Sequence, residues 1–394
     1  MSSKYISEKF KKENESFFAK AAELKEAGKD IIDLSLGDPD LITAKNIIKK
    51  AALDAENGHT RYANPRGDLE LREEIINYYQ NNYQQEIKKE EIMLTVGACH
   101  GTFLALAAVL NPGEEVIIPS PYFAPYKEQV KLAGGTPVFV ESKFEDNFQI
   151  NLEAIINVIN EKTKAIIINS PHNPTGSIQS KETLIKLMKI ARENDLLIFS
   201  DEVYESFDYE NKFYSLVKFK EDFKRIILLN SFSKTFAMTG WRLGFVIADE
   251  NILDIMQTIN EGVCYSAPTI SQRAAVEALK NEKQIKKEIA SDFAERIKYA
   301  KKRLKDNKIM KIDGGEGAFY IFPRIKNSGI KAEQFALKLL EEKGVLVLPG
   351  NDFGDQREEF IRIACTLKLD DLKQAFDRID EFTESLNDIK AGDE

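Results

Sequence analysis

The sequence predicts an α/β fold. It has a large domain with a mostly parallel central sheet flanked by helices, plus a smaller α+β domain. Three observations carry this. The chain has 394 residues, more than one hydrophobic core usually spans. Short, continuously apolar runs alternate with helical periodicity from residue 92 to residue 261, the pattern of strand–helix crossovers and a parallel sheet. After a long helical stretch at 268–306 the pattern changes to short strands between helices.

In chain order, apolar residues recur at helical spacing near 8–27, 43–56, 68–82 and 99–110, and again near 180–194, 250–261, 268–306, 331–343 and 369–388. The apolar runs at 92–96, 115–119, 137–141, 165–169, 196–200, 226–230 and 244–248 are short enough for buried strands. "GAFYIFPRI" (317–325), "GVLVLPG" (344–350) and "EEFIRIACT" (358–366) read as strands of the smaller domain. No internal repeat or low-complexity linker interrupts the chain.

Composition narrows the function classes. With 43% hydrophobic and 30% charged residues the chain is an ordinary soluble globular protein. A net charge of −9 argues against a nucleic-acid or anionic-membrane surface. No apolar run approaches the ~18 residues of a membrane span, and the polar start "MSSKYISEKFKKENESFF" is unlike a signal peptide. Cys99, Cys264 and Cys365 are far apart and odd in number, so neither disulfides nor a zinc site is expected, and a reducing cytoplasm fits. His59, His100 and His172 lack metal-ligand spacing, and no metal is expected. The dinucleotide signature G-x-G-x-x-G after a strand is also absent.

The chemistry-bearing residues sit where apolar runs end. Lys234 follows the run at 226–230 in "SFSKTFAMTGWRLG", with Ser231 and Ser233 before it and Arg242 after it. An amine beside two hydroxyls and a guanidinium suits a cofactor that is both aldehyde and phosphate. Asp201 follows the run at 196–200 in "SDEVY", where the alternative role is a helix cap or turn. Asn173 lies in "NSPHNPTG" after the run at 165–169, a strong turn signal in itself. Gly97, Ala98 and Cys99 join the run at 92–96 to an apolar helix, so their backbone N–H groups can face an anion at the helix start. Arg362 lies in the otherwise apolar "FIRIAC". A guanidinium buried there needs a partner, and a bidentate carboxylate is the natural one.

These motifs, in this order from "LSLGDPD" to Arg362, resemble the class I and II aminotransferases, which use pyridoxal 5'-phosphate and share its fold type I. The resemblance implies that Lys234 binds the cofactor covalently and carries the proton transfer, and that Asp201 faces the cofactor's ring nitrogen. It implies that Tyr204 and Asn173 donate to the cofactor's phenolic oxygen. Ala98, Cys99, Ser231, Ser233 and Arg242 would form the phosphate cup around Gly97. Phe123, in "PSPYFAPY", would stack on the cofactor ring, with Tyr122 or Tyr126 as the alternative. Arg362, helped by the backbone of Gly37 and by Asn173, would hold the substrate α-carboxylate. Tyr62, in "TRYANPRG", matches a tyrosine that reaches the phosphate of a neighbouring subunit, which implies a homodimer with shared sites.

The resemblance also places residues 1–42 with the small domain at 286–394, around a large cofactor-binding domain at 43–285. The implied reaction moves an amino group between an L-amino acid (aspartate, aromatic or neutral) and a 2-oxo acid such as 2-oxoglutarate. The chain departs from the aspartate enzymes at two positions. One subgroup carries an arginine three residues before the tyrosine of Y-S-x-P, here Gly262. Another carries a lysine where Cys99 stands. Arg61 or Arg66 could substitute. A rival within the fold is a C–S β-lyase, which uses the same groups but eliminates, and against which Thr175 speaks; a rival of another class is a non-catalytic cofactor-sensing regulator, against which the intact Lys234 and Arg362 and the lack of room for an added DNA-binding domain argue.

Overall fold

The computed structural model describes residues 17–326 and 328–392. Its strands, in chain order, are β1 (Ile32–Asp33), β2 (Ile92–Thr95), β3 (Glu115–Ser120), β4 (Thr136–Glu141), β5 (Thr163–Asn169), β6 (Leu197–Asp201), β7 (Ile226–Ser231), β8 (Gly244–Ile247), β9 (Tyr320–Ile321), β10 (Val345–Leu346), β11 (Leu348–Pro349) and β12 (Ile361–Ala364). β2 to β8 form one sheet in the order β2-β8-β7-β6-β5-β3-β4, and only β8 runs antiparallel to its neighbours. Each of the seven apolar runs between 92 and 248 therefore became a strand of this sheet. They were readable because helices cover both faces. Ile166, Ile168, Ile198 and Leu228 pack into one core, and Ile167, Phe199, Ile227 and Leu229 into the core on the opposite face. Such strands carry no polar alternation.

Register fixes what the sheet presents at its carboxyl edge. Asn169 on β5 pairs with Asp201 on β6, and Asp201 pairs with Leu229 on β7, two residues before Ser231. Three polar strand ends thus lie side by side where ligands bind in open α/β sheets.

The second, smaller core gathers Leu34, Ile297, Ile321, Ile361 and Phe376. β9, β12 and β11 form an antiparallel sheet, while β10 pairs in parallel with β1. The N-terminal β1 and Leu34 therefore pack with the C-terminal elements. The apolar run at 344–350 is split because its first half pairs with β1 and its second with β12.

Several boundaries differ from the sequence reading. The helical stretch at 268–306 is two helices, Thr269–Lys280 and Glu282–Lys305. The Asn281 side chain between them bonds back to the Glu277 carbonyl oxygen at 2.9 Å and to its carboxylate at 2.8 Å, competing with the backbone ladder. Helices Pro125–Leu132 and Leu152–Val158 have no counterpart in the reading, being too short for a clear period. Of the helix expected at 8–27, Phe17–Glu26 is seen, and residues 8–16 lie outside the described residues. No described helix is long and apolar enough to cross a membrane.

Candidate active site

A cavity of about 290 Å³ opens at the carboxyl edge of the large sheet, between it and the smaller unit. Lys234 lies on its wall. Ser231 ends β7, and its Oγ accepts from the Ser233 N–H at 3.1 Å, starting the one-turn helix Phe232–Thr235 that carries the lysine. The Lys234 amine donates to the Gly37 carbonyl oxygen at 2.5 Å. Burial pulls its pKa from 10.5 down to about 8, because an ammonium loses hydration there.

Asp201, at the end of β6, accepts from the Tyr126 hydroxyl at 2.5 Å and from the Val203 N–H at 3.2 Å. Burial raises its carboxyl to about 6, against the lowering effect of Tyr126, Val203 and the Lys234 charge. A cation bound beside it would lower it further.

The cavity has a built anion end. β2 runs into the helix Gly97–Val109, with Gly97 at φ +75°. A Cβ at Gly97 would come within 2.8 Å of an Arg242 guanidinium nitrogen, so only glycine lets the arginine lie against this turn. Ala98 and Cys99 in the first turn line the cavity beside Ser231, Ser233 and Arg242. Backbone N–H groups at a helix start, two hydroxyls and a guanidinium form a phosphate site.

At the other end, Arg362 comes from β12 and is only 6% exposed. It donates to Asn173 Oδ1 at 3.1 Å and to the Ser35 carbonyl oxygen. Its guanidinium lies 4.8 Å from the Tyr320 ring centre and 4.6 Å from that of Phe353. Among the described residues no carboxylate is in ion-pair distance of it, and its buried Nε has no partner. Arg362 is thus neither a structural salt bridge nor a solvated strand edge, and an incoming carboxylate fits it.

Asn173 is held by Asn169, whose Oδ1 accepts its N–H at 2.8 Å. Because Asn173 Oδ1 serves Arg362, Nδ2 remains for a ligand. The Tyr204 hydroxyl is buried 2.9 Å from that of Tyr320. Phe123 lines the cavity half-buried, its ring edge-on to Tyr126 at 5.4 Å. Tyr122 stacks on Phe139 at 4.9 Å, and the Tyr126 hydroxyl is committed to Asp201. Of the three aromatics, Phe123 is the one placed to cover a ring.

Nearly all the residues singled out from sequence converge here. Gly37, Ala98, Cys99, Phe123, Asn173, Asp201, Tyr204, Ser231, Ser233, Lys234, Arg242 and Arg362 line the cavity, and Gly97 lies under it. Tyr62 does not. It is 86% exposed and packs edge-on against Tyr265 at 5.2 Å, on a separate surface pocket with Arg61. The sequence reading missed Tyr320, which lines the cavity between Tyr204 and Arg362. The available signal was a tyrosine in an apolar strand, whose hydroxyl needs a buried partner. It also missed the hydrogen bond of Tyr126, and Leu36 and Leu348 on the wall.

Pyridoxal phosphate fits this donor set. The cavity wall carries the cations Lys234, Arg242 and Arg362 against one carboxylate, Asp201, which suits a phosphate and a carboxylate entering together. No group of metal-ligating side chains occurs among the described residues.

The comparisons agree with the geometry. A family model described as "Aminotransferase class I and II" matches residues 29–379. An aspartate aminotransferase of Pyrococcus horikoshii is 39% identical over 358 residues, 90% of this chain and 91% of that protein. The structure of an aspartate aminotransferase from Thermotoga maritima superposes with a TM-score of 0.89 at 36% identity, covering 93% of this chain and 96% of the other. An aromatic aminotransferase from Pyrococcus horikoshii gives a TM-score of 0.88 at 37% identity, covering 94% and 99%.

Proposed function

The chain belongs to the class I and II aminotransferases, and from that premise we propose which of its residues carry the reaction and how its copies assemble. It is a pyridoxal-phosphate-dependent aminotransferase acting between an amino acid and a 2-oxo acid. The observation that carries the site assignment is the convergence of Lys234, Asp201 and Arg362 on one cavity with a phosphate cup at its far end.

When bound, the cofactor supplies an electron sink for the substrate Cα carbanion. The rest is the work of side chains. Ala98, Cys99, Ser231, Ser233 and Arg242 hold the phosphate. Phe123 covers one face of the ring. Asp201, oriented by Tyr126, keeps a negative charge beside the ring nitrogen. Tyr204 and Asn173 direct hydrogen bonds to the phenolic oxygen. Arg362 fixes the substrate α-carboxylate, which sets the Cα–H bond within reach of Lys234. The Lys234 amine, kept weakly basic by burial, would take that proton as general base and hold it for return as general acid.

Residues 43–285 form the cofactor-binding domain, and 1–42 with 286–394 the part that carries Gly37 and Arg362. The pairing of β1 with β10 supports this division. The active unit is a homodimer in which Tyr62 reaches the phosphate of a second copy; its exposure supports this. Three free cysteines, one buried, suit the cytoplasm. Relatives named for aspartate and aromatic donors make both substrate classes candidates.

The test is a panel of amino donors against 2-oxoglutarate, with cofactor absorbance followed. A coloured protein that forms glutamate from at least one donor supports the assignment. Protein that stays colourless with added pyridoxal phosphate overturns it. Release of pyruvate from a cysteine-type donor without acceptor identifies elimination instead.

A further inference from the structure

We infer that Tyr320 is a positioning residue with two separable duties: its hydroxyl orders the Tyr204 hydroxyl, and its ring carries the Arg362 guanidinium. This rests on the site assignment above and goes beyond it.

Tyr320 stands on β9, whose residues Tyr320 and Ile321 pair with Ala364 and Ile363 of β12, the strand of Arg362. It is therefore part of the smaller unit, while Tyr204 follows β6 of the large sheet. The two hydroxyls meet at 2.9 Å, both buried, and either can be the donor. The phenolic oxygen expected beside Tyr204 carries negative charge and only accepts. Tyr204 then has to donate to it, and its own lone pair is left for the Tyr320 proton. The order of donation becomes Tyr320 to Tyr204 to ligand. A donor that is itself hydrogen-bonded in this way donates more strongly.

The ring has a separate task. Arg362 lacks a carboxylate partner among the described residues, and its plane is held by the faces of Tyr320 and Phe353. The backbone of Gly37 closes the arrangement. A Cβ there would fall 1.8 Å from the Tyr320 hydroxyl oxygen, so the loop that receives the Lys234 amine lies directly on this tyrosine. The charged groups facing the pair are Asp38, Asp201 and Arg362, and Asp38 and Arg362 also face Lys234, together with Cys99 and Arg242.

Two variants separate the duties. Tyr320→Phe keeps the ring and removes the hydroxyl. The pH midpoint of the bound cofactor's absorbance should rise by about 0.5 unit, the size of a modest hydrogen bond, with KM for every amino donor within about twofold of wild type. Tyr320→Leu removes both, and KM should rise about tenfold or more for all donors alike, since they share the α-carboxylate. Affinity of the apoprotein for pyridoxal phosphate, read by fluorescence of the single tryptophan, Trp241, provides a measurement independent of turnover. It should weaken in Tyr320→Phe by no more than about tenfold.

A wild-type protein that never binds the cofactor covalently would sink the site assignment. A wild-type protein that does, with an unchanged midpoint in Tyr320→Phe, overturns the hydroxyl's role. Normal KM values in a folded, coloured Tyr320→Leu protein overturn the ring's role.

Discussion

The Lys234 amine donates to the carbonyl oxygen of Gly37 at 2.5 Å, which ties the reactive side chain at the edge of the large sheet to the N-terminal segment. Neither residue could serve alone. Gly37 must lack a side chain to lie on Tyr320, and Lys234 must be buried for its amine to lose its proton near pH 8 rather than at 10.5. Replacing Lys234 by alanine should abolish the covalent bond to the cofactor and reduce turnover by at least ~10³-fold, the upper range for positioned acid–base groups. Absorbance of the purified variant and its single-turnover rate are the measurements.

The same burial makes the apoprotein's stability depend on pH. Lys234 titrates at about 8 in the folded chain against 10.5 ordinarily. Between those values the unfolded chain holds the extra proton, so stability rises with pH across that window. Below about pH 8 both states are protonated, and the cost of burying the ammonium is fully present. Lys234→Met should therefore stabilise the apoprotein at pH 7 while removing activity, and should flatten the rise of its melting temperature between pH 8 and pH 10. An equal rise in both proteins would assign the pH dependence to other groups.

Asp201 and Tyr126 give a second titration. Burial raises the Asp201 carboxyl to about 6, and the Tyr126 hydroxyl bond opposes that rise. Tyr126→Phe removes the opposing bond, so more of the carboxyl is protonated at a given pH. The acid limb of kcat/KM should move to higher pH, and apoprotein affinity for pyridoxal phosphate should fall about tenfold, as expected for a hydrogen bond to a charged group. An acid limb that stays in place would show that Tyr126 does not govern Asp201.

Tyr62 supplies the test of assembly. Its side chain is 86% exposed on a face that also carries the half-exposed Tyr265, far more aromatic surface than an isolated chain needs to show. A Tyr62→Phe or Tyr62→Ala subunit mixed with an inactive Lys234→Ala subunit should regain part of the activity, because one of the two shared sites is then intact. A fully active monomer by sedimentation would contradict shared sites.

Much of this site was legible because its residues mark strand ends. "AIIIN" and "LIFSD" are buried on both faces until the chain leaves the sheet, so the first polar residue of each, Asn169 and Ser200–Asp201, announces the carboxyl edge. Residues whose meaning comes from distant partners were not legible in this way. Tyr320 meets Tyr204 across 116 positions, and the apolar "GAFYIF" shows only that its hydroxyl needs a buried partner, not which one. Helix Pro125–Leu132 was hidden by its length and by the turn-like proline at its start. The Arg61 and Arg66 alternatives could be separated only by structure. Arg66 is buried and bonds to Gln257 at 3.1 Å, to the Glu90 carbonyl oxygen and to Asp254. It is a brace between elements, not a ligand for substrate.

That leaves the substrate side chain. The cations on the cavity wall are Lys234, Arg242 and Arg362, and each already has an assigned partner in cofactor or α-carboxylate. Gly262 and Cys99 stand where aspartate enzymes place an arginine or a lysine, and Leu36 and Leu348 add apolar wall. A second carboxylate entering without a cation would be buried unpaired, at a cost of a few kcal/mol. Arg61 is the remaining candidate, because it sits beside Tyr62 on the pocket that includes Cys264 and Ser266, and it would act only from a second copy. Under one acceptor, phenylalanine, tyrosine and alanine should reach kcat/KM values within ~100-fold of aspartate, a span of about 2.7 kcal/mol in transition-state binding. Arg61→Leu should lower kcat/KM for aspartate and leave phenylalanine unchanged, whereas Arg362→Leu should weaken every donor. An aspartate preference beyond ~100-fold that survives Arg61→Leu would place the missing cation elsewhere in the chain.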